Sequence, residues 1–520
     1  MQWIDDTRKI NLKGTCIRLI LISGAFLLFN SLAEAQYSFN ANCQRAYQAI
    51  LALKFSEAQK LIDSEKALNE SNLIPVYLEN YIDFLTLFIS EDRATYERLK
   101  HNKSQRIDKL ENGNKKSPYY NFCLAEVSLQ WALARLKFGD YATAAFEIRR
   151  AHALLTVNEA LFPGFIIQKI GLGLVHVIAG IVPDNYKWVI AMMGVDGSLD
   201  QGLSDIKQVI DYSGTDKIVI LFKPEASFYL AFLTVNLQKD KKEALALLPI
   251  LLDQINDDPL AKSPLLLFAR STILMKNGHN DEALTVLQER KALTQCYPFY
   301  YLDYMEGIAR LNRLDYTANL CFENFLRHFR GQNYIRSSYQ KLAWIAALQG
   351  DTLGFNKLMK QVKTKGASVV DEDKQALNEA VTGIFPNIRL LRARLLFDGG
   401  YFDLALHEML DNPVKNTIKS KRDLVEYNYR LARIFHETGN YFKALEYYKL
   451  TIQYGKKEPF YFAAGSAFQM GLLYENNGVY DKADSAYRLC LSINTPEYKT
   501  TLGEKARAGL NRIEKKIPKI

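Results

Sequence analysis

Apolar residues along most of this chain recur with the spacing of amphipathic α-helices, and short polar segments with glycine separate the apolar stretches. Leu431, Ala432 and Phe435 follow the i, i+1, i+4 spacing that puts side chains on one buried face of a helix. The same spacing begins again at Met470, and Tyr448 faces the same way on the helix between them. The pattern predicts helices in pairs and therefore an all-α fold.

A short element with a glycine and an alanine five residues apart recurs between the predicted helices. It occurs as the pairs Gly139 and Ala144, Gly278 and Ala283, Gly400 and Ala405, Gly439 and Ala444, and Gly478 and Ala483. The glycine predicts a left-handed residue that ends the first helix, and the alanine predicts a close approach of the second helix. An aromatic residue after the glycine, such as Tyr441 or Tyr480, is expected to wedge the corner. Partial copies surround Ala58 and Ala244.

The units beginning at Val425 and Ala464 resemble the tetratricopeptide repeat. Their alanines, Ala444 and Ala483, lie further apart than the usual unit length of that family, which predicts longer helices or connections here. The resemblance implies an all-α solenoid of tetratricopeptide-type helical hairpins that form a right-handed superhelix. Such a stack has a concave face on which a peptide can lie.

The N-terminus has the features of a secretory signal. Arg8, Lys9, Lys13 and Arg18 precede an apolar run at 19–29, and small residues at 33 and 35 suit cleavage after Ala35. The run is shorter than the roughly 20 residues that span a membrane, which favours cleavage over an uncleaved anchor. The sequence predicts an exported protein of the periplasm or cell envelope.

The predicted organisation has five parts. They are a signal peptide at 1–35, N-terminal helical repeats at 36–160, an apolar helical insert at 161–225, C-terminal helical repeats at 226–500 and a capping helix at 501–520. The cysteines after the predicted cleavage site are Cys43, Cys123, Cys296, Cys321 and Cys490. Their odd number and irregular spacing favour buried thiols, with a Cys296–Cys321 bridge as an alternative.

The apolar insert interrupts the repeat series. It is similar to a segment of the inclusion-body clearance family of yeast and its animal relatives, the tetratricopeptide repeat domain thirty-nine proteins. The similarity rests on Gly171, Gly173, Pro183, Gly194, Gly197, Gly202 and Leu203. Lys169 and His176 argue against a membrane span at 165–182. Two interpretations stay open: helices buried against the repeats, or an exposed apolar helix that docks on a lipid surface or a partner protein.

The composition and the motifs give no support to an enzyme. The chain is 48% apolar and 24% charged with a formal net charge of +9, which excludes a disordered chain and indicates no general nucleic-acid surface. The histidines and cysteines lack zinc spacing, and the calcium-loop-like run from Asp196 has Gln201 in place of the turn glycine. We predict no catalytic residues, no metal site and no cofactor.

The resemblance implies which side chains face the concave groove. These partner-binding candidates are Arg394, Phe397, Tyr429, Arg433, His436, Glu437, Phe468 and Asn476. Aromatic anchors beside charged groups can give a peptide both affinity and direction. The aromatic run at 297–304 is a second candidate anchor, with core filling as the alternative.

The sequence therefore predicts an exported interaction scaffold that binds a protein or peptide in the groove of its repeats. The alternative function is a peripheral adaptor on a lipid surface, acting through the insert at 161–213. The oligomeric state and the identity of the partner stay open.

Overall fold

The computed structural model describes residues 37–181, 187–237, 245–246, 263–410, 417–494, 499–514 and 516, and across those ranges it contains helices and no strand. The α-helices are α1 (Ala41–Leu51), α2 (Phe55–Leu68), α3 (Ile74–Ser90), α4 (Arg93–Leu99), α5 (Asn102–Glu111), α6 (Pro118–Lys137), α7 (Tyr141–Leu161), α8 (Gln168–Ile181), α9 (Lys187–Met193), α10 (Leu199–Ile210), α11 (Lys217–Leu237), α12 (Pro264–Lys276), α13 (Asn280–Gln288), α14 (Tyr301–Asn312), α15 (Ala318–His328), α16 (Ile335–Leu348), α17 (Thr352–Thr364), α18 (Asp371–Thr382), α19 (Ile388–Asp398), α20 (Phe402–Leu410), α21 (Lys421–Glu437), α22 (Tyr441–Gly455), α23 (Phe462–Asn476), α24 (Tyr480–Ser492) and α25 (Lys499–Glu514).

Most of these helices pack in consecutive antiparallel pairs, which confirms the predicted all-α solenoid of helical hairpins. The predicted signal peptide, Ala244 and Pro183 lie outside the described residues, so the predictions for them stay predictions.

The corner glycines and the close-packing alanines are confirmed. Gly139, Gly278, Gly400, Gly439 and Gly478 all have φ between 73° and 83°, in the left-handed region. The alanine five residues after each of these glycines is fully buried, as are Tyr448 and Tyr487 on the second helices of the last two hairpins. A glycine turn and a methyl-sized contact therefore set the angle of each hairpin.

The predicted aromatic wedge is wrong for Tyr441. Its side chain is 47% exposed, and its ring centroid lies 6.0 Å from that of His436 at the surface. Hydrogen bonds fix the turn between the two helices without Tyr441. The Ala444 amide donates to the Asn440 carbonyl at 3.0 Å, and the Asn440 side chain accepts from the Lys443 amide at 3.2 Å. Tyr480, at the equivalent position, is only partly buried against the last hairpin.

Helix α8, in the described part of the apolar insert, is mostly buried. Helices α8 and α10 cross with their backbones in contact, because a Cβ atom on Gly173 would lie only 2.6 Å from the carbonyl oxygen of Gly202. The Lys169 ammonium lies 3.3 Å from the Asp205 carboxylate of α10, and Nδ1 of His176 lies 2.7 Å from the same carboxylate, so both polar side chains of the apolar helix have a partner. Residues 170–177 are buried, so this part of α8 is not available to dock on a lipid surface. For the rest of the insert the lipid-docking alternative stays a prediction.

Helix α11 is long and apolar enough to cross a membrane, a property that the sequence analysis did not single out. It packs against α10 and α12 and carries Pro224 and the buried carboxyl of Glu225 near its middle. Tyr47 of α1 and Tyr81 of α3 both donate hydrogen bonds to that carboxyl. This helix therefore connects the insert to the first hairpins inside the protein.

The chain curves back on itself, so that its first hairpins contact its middle. The Ser263 hydroxyl donates to the Leu51 carbonyl at 2.6 Å, and the backbone N–H of Tyr297 donates to the Leu53 carbonyl at 2.7 Å. The side-chain amide of Asn333 donates to the Glu91 carboxylate at 2.7 Å. Tyr304 of the aromatic run at 297–304 is 5% exposed and fills the core. Tyr297, Phe299, Tyr300 and Tyr301 are only partly buried, so the alternative of a second aromatic anchor stays open for them.

Two non-neighbouring hairpins also meet at their corners. The backbone of Gly278, between α12 and α13, packs on that of Gly400, between α19 and α20. Tyr401 ties the same corners together, accepting from the Asn280 side chain at 3.0 Å and donating to Asp281 at 2.8 Å. Cys296 and Cys321 are free thiols, so the alternative of a bridge between them is not realised.

Candidate functional site

The first helices of the C-terminal hairpins, together with the additional helix α18, form a groove. We call it the C-terminal groove. A cavity of about 80 Å³ marks its centre. Its principal lining side chains are Trp344 of α16, Glu379 of α18, Arg394 of α19, Glu426 and Arg430 of α21, and Tyr461 and Phe462 at the start of α23.

Two cations share the ring of Trp344. The guanidinium carbon of Arg394 lies 4.6 Å from the ring centroid, and the Lys341 ammonium lies 3.9 Å from it. Burial, and next the charge of Arg394, lower the pKa of Lys341 to about 7. Glu379 does not pair with either cation, because it accepts hydrogen bonds from the Trp344 indole and from Gln340, both at 2.6 Å.

Arg394 has only a distant carboxylate partner among the described residues. Its Nε atom lies 3.8 Å from the Asp398 carboxylate, near the outer limit for an ion pair. Arg430, in contrast, donates to Glu426 at 2.8 Å. Burial alone would raise the pKa of Glu426, but the guanidinium groups of Arg430 and Arg394 lower it, so this carboxylate stays charged.

Four of the predicted groove residues meet around the guanidinium of Arg433. Arg433 lies over the ring of Phe397, with 4.9 Å between its guanidinium carbon and the ring centroid, and donates to the Tyr429 hydroxyl at 3.4 Å. Glu437 lies 3.5 Å from the other end of Arg433. Tyr429 is only 4% exposed and packs on Tyr461, so it supports the wall of the groove and does not contact a ligand directly.

Residues 464–496 match the tetratricopeptide repeat (TPR). The match spans the hairpin of α23 and α24 and supports a TPR protein. No curated protein sequence is significantly similar to the chain. The resemblance of the insert to the inclusion-body clearance family therefore stays a prediction.

In this matched TPR hairpin the predicted groove positions do not form a binding surface. Phe468 is 5% exposed and packs on Tyr487 at 5.9 Å between centroids, and Asn476 is exposed at the end of α23. The reason is α25, which packs across α23 and is fixed by two hydrogen bonds of 2.7 Å from Arg512 to Glu475. The groove prediction is wrong for Phe468.

His436 also lies apart from the groove centre. Its Nδ1 atom is 3.0 Å from the Tyr448 hydroxyl, at the corner of the α21–α22 hairpin. The ring therefore joins the two helices of one hairpin. Its role as a groove residue stays a prediction.

The sequence analysis missed Lys341, Trp344 and Glu379. Helix α18 follows the α16–α17 pair as a third helix and is held there by Asp373, which accepts from the Tyr334 and Ser337 amides at 2.6 and 2.9 Å. A search for two-helix units could not place this third helix. The sequence did hold one signal for it: Gly350, which also has a left-handed φ of 82°, and Gly400 lie too far apart for one TPR unit.

Proposed function

We propose that this chain is an exported scaffold whose C-terminal groove binds an acidic segment of a protein partner that also carries an aromatic residue. The TPR match and the helical-repeat architecture support a protein-interaction scaffold. TPR folds are typically not catalytic, and this chain is proposed to act by binding alone. The observation that carries the choice of an acidic partner is the guanidinium of Arg394, stacked on Trp344 and 3.8 Å from its closest carboxylate.

The physical basis is the cost of a desolvated cation. An arginine that has lost water and has gained only a distant carboxylate binds an incoming carboxylate strongly, through charge-assisted hydrogen bonds. Tyr461 lines the same groove, is only partly buried, and offers its ring to an aromatic side chain of the partner, while the buried ring of Phe462 packs beside it. Together they select an anionic group next to an apolar one.

We expect acidic peptides with one aromatic residue to bind the purified protein more tightly than neutral peptides of the same length. Arg394→Met is expected to weaken binding of the acidic peptides by about tenfold or more, which is about 1.4 kcal/mol. Fluorescence anisotropy with labelled peptides measures both effects.

Arg488→Met is the matched control, because Arg488 is 70% exposed and pairs with Asp484 of its own helix at 2.7 Å. Arg394→Lys keeps the charge and is expected to recover part of the affinity. The proposal is contradicted if acidic and neutral peptides bind alike, or if the Met variants at 394 and 488 behave alike.

Export is proposed from the N-terminal sequence alone. When the full chain is expressed in a bacterial host, we expect the intact mass of the mature protein to correspond to a first residue of Gln36. Ala35→Leu is expected to block this cleavage, because the peptidase cleft accepts small residues at that position. A wild-type protein that keeps Met1 and remains in the cytoplasm would contradict the export proposal.

A further inference from the structure

A second cavity, larger than the one in the C-terminal groove, lies where the first hairpins meet the middle of the chain. We call it the central cavity. Its volume is about 440 Å³, within the range of pockets that hold small organic ligands. One wall comes from α3, α6 and α8, and the facing wall comes from α11 and α12 together with Phe299, Tyr301 and Phe329.

The facing wall is a continuous row of aromatic rings. Phe232 lies 6.4 Å from Phe228 and 5.9 Å from Phe268, and Phe268 lies 5.6 Å from Phe299, all between ring centroids. The opposite wall is aliphatic and includes Ile178. Both walls therefore favour a hydrocarbon group.

The polar groups in the depth of the cavity are already paired. Tyr47 and Tyr81 donate to the two oxygens of Glu225, which is the buried carboxyl of this cavity. Among the described lining residues no fully buried side-chain polar atom lacks a partner. A peptide backbone placed here would leave its own amides and carbonyls without hydrogen bonds, whereas an alkyl chain needs none.

Two lysines, Lys137 and Lys276, lie at the mouth of the cavity. Lys137 pairs with Glu91 at 2.8 Å, but Lys276 has a neutral partner, the side-chain oxygen of Asn236 at 2.7 Å, and ion-pairs with no carboxylate in the described part of the chain. Partial burial lowers the pKa of Lys276, and the charge of Glu372 at the same mouth opposes that shift. Lys276 is therefore a cation at the open end of an apolar cavity.

We propose that the central cavity binds one long-chain fatty acid, with the alkyl chain between the two walls and the carboxylate on the ammonium of Lys276. The assignment rests on three features found together: an apolar cavity of suitable volume, the absence of unpaired buried polar groups in its described lining, and an unpaired cation at its mouth. Exposed apolar side chains at the rim, Phe88 at 36% and Ile181 at 40%, give the alkyl chain an apolar path inward.

The test uses cis-parinaric acid, a fatty acid whose fluorescence rises in apolar surroundings, titrated into the full purified protein. We expect saturable binding of one molecule per chain, displaced by palmitate. The methyl ester of the probe has the same chain without the charge and is expected to bind at least several-fold more weakly. Lys276→Met is expected to remove that difference between acid and ester.

Two substitutions test the cavity from opposite walls. Phe232→Asp places a charge in the apolar space, and Ile178→Trp fills part of it, so each is expected to reduce binding of the acid by about tenfold or more. Phe442→Asp is the matched control, because Phe442 is 81% exposed on the outer side of a distant hairpin. Far-UV circular dichroism and melting curves identify any variant that fails to fold. If Phe232→Asp does not fold, Ile178→Trp still tests whether the probe binds in the cavity.

The inference is overturned if the probe does not saturate, if neither wall substitution changes binding in a folded protein, or if acid and ester bind the wild type equally. The result does not depend on the C-terminal groove. Arg394→Met is expected to leave binding of the probe unchanged.

Discussion

Gly400→Ala is expected to lower the free energy of unfolding by about 3 kcal/mol, whereas Gly439→Ala is expected to lower it by only about 1 kcal/mol. Both glycines occupy the same corner position with nearly the same φ, 83° and 80°. A side chain in this left-handed conformation costs about 1 kcal/mol at either site. At Gly400 the new Cβ atom would also lie 2.6 Å from the Cα atom of Gly278, while at Gly439 it meets nothing within 4 Å.

The comparison isolates the contact between the two corners, because the conformational cost is common to both variants. Urea unfolding followed by circular dichroism measures the difference between them. Equal destabilisation by the two substitutions would show that the corners of the 264–288 and 388–410 hairpins do not touch in solution.

The free energy of unfolding is expected to fall as the pH rises from about 5 to about 8. The proton that Glu126 of α6 holds only in the folded state contributes about 1.4 kcal/mol per pH unit to this fall. Burial, and next the charge of Glu225, raise the pKa of Glu126 from 4.5 to about 8. Between these values the folded protein holds a proton that the unfolded chain has released, so each unit of pH favours unfolding. Below about pH 4.5 both states are protonated and the dependence disappears.

Glu126→Gln keeps the shape of the neutral acid and removes its titration. We expect the variant and the wild type to melt at similar temperatures near pH 5, and the variant to melt higher at pH 8. Glu70→Gln on an exposed turn is the control. The pKa of Glu225 is raised as well, so part of the pH dependence is expected to remain in the Gln variant. A wild-type stability that rises over this pH range would contradict the prediction.

Local rules predicted the hairpins correctly. A left-handed corner needs glycine, and a close crossing of helices needs a small residue, so Gly439 and Ala444 could be placed without knowledge of the rest of the chain. The same holds for Tyr448, whose burial follows from helical periodicity. These features depend on residues within one unit.

The errors in the groove have long-range causes. Phe468 has the spacing of a groove residue, but α25 packs across its helix, and nothing in the repeat pattern predicts where a terminal helix docks. Glu379 was missed because α18, the helix that carries it, does not belong to a two-helix unit. The central cavity depends on contacts such as that of Ser263 with Leu51, two residues that lie far apart in the sequence and leave no periodic signal.

In an open helical-repeat array each unit contacts only its neighbours, so the array can lengthen and shorten elastically. In this chain, hydrogen bonds that join Leu51, Leu53 and Glu91 to the middle of the chain link units that are not neighbours. The solenoid cannot lengthen there without breaking these bonds, so its inner diameter at that point is fixed. The contact of Gly278 with Gly400 restrains the chain in the same way up to the corner at residue 400. Elastic adjustment to partners of different size is then confined to the hairpins after residue 410.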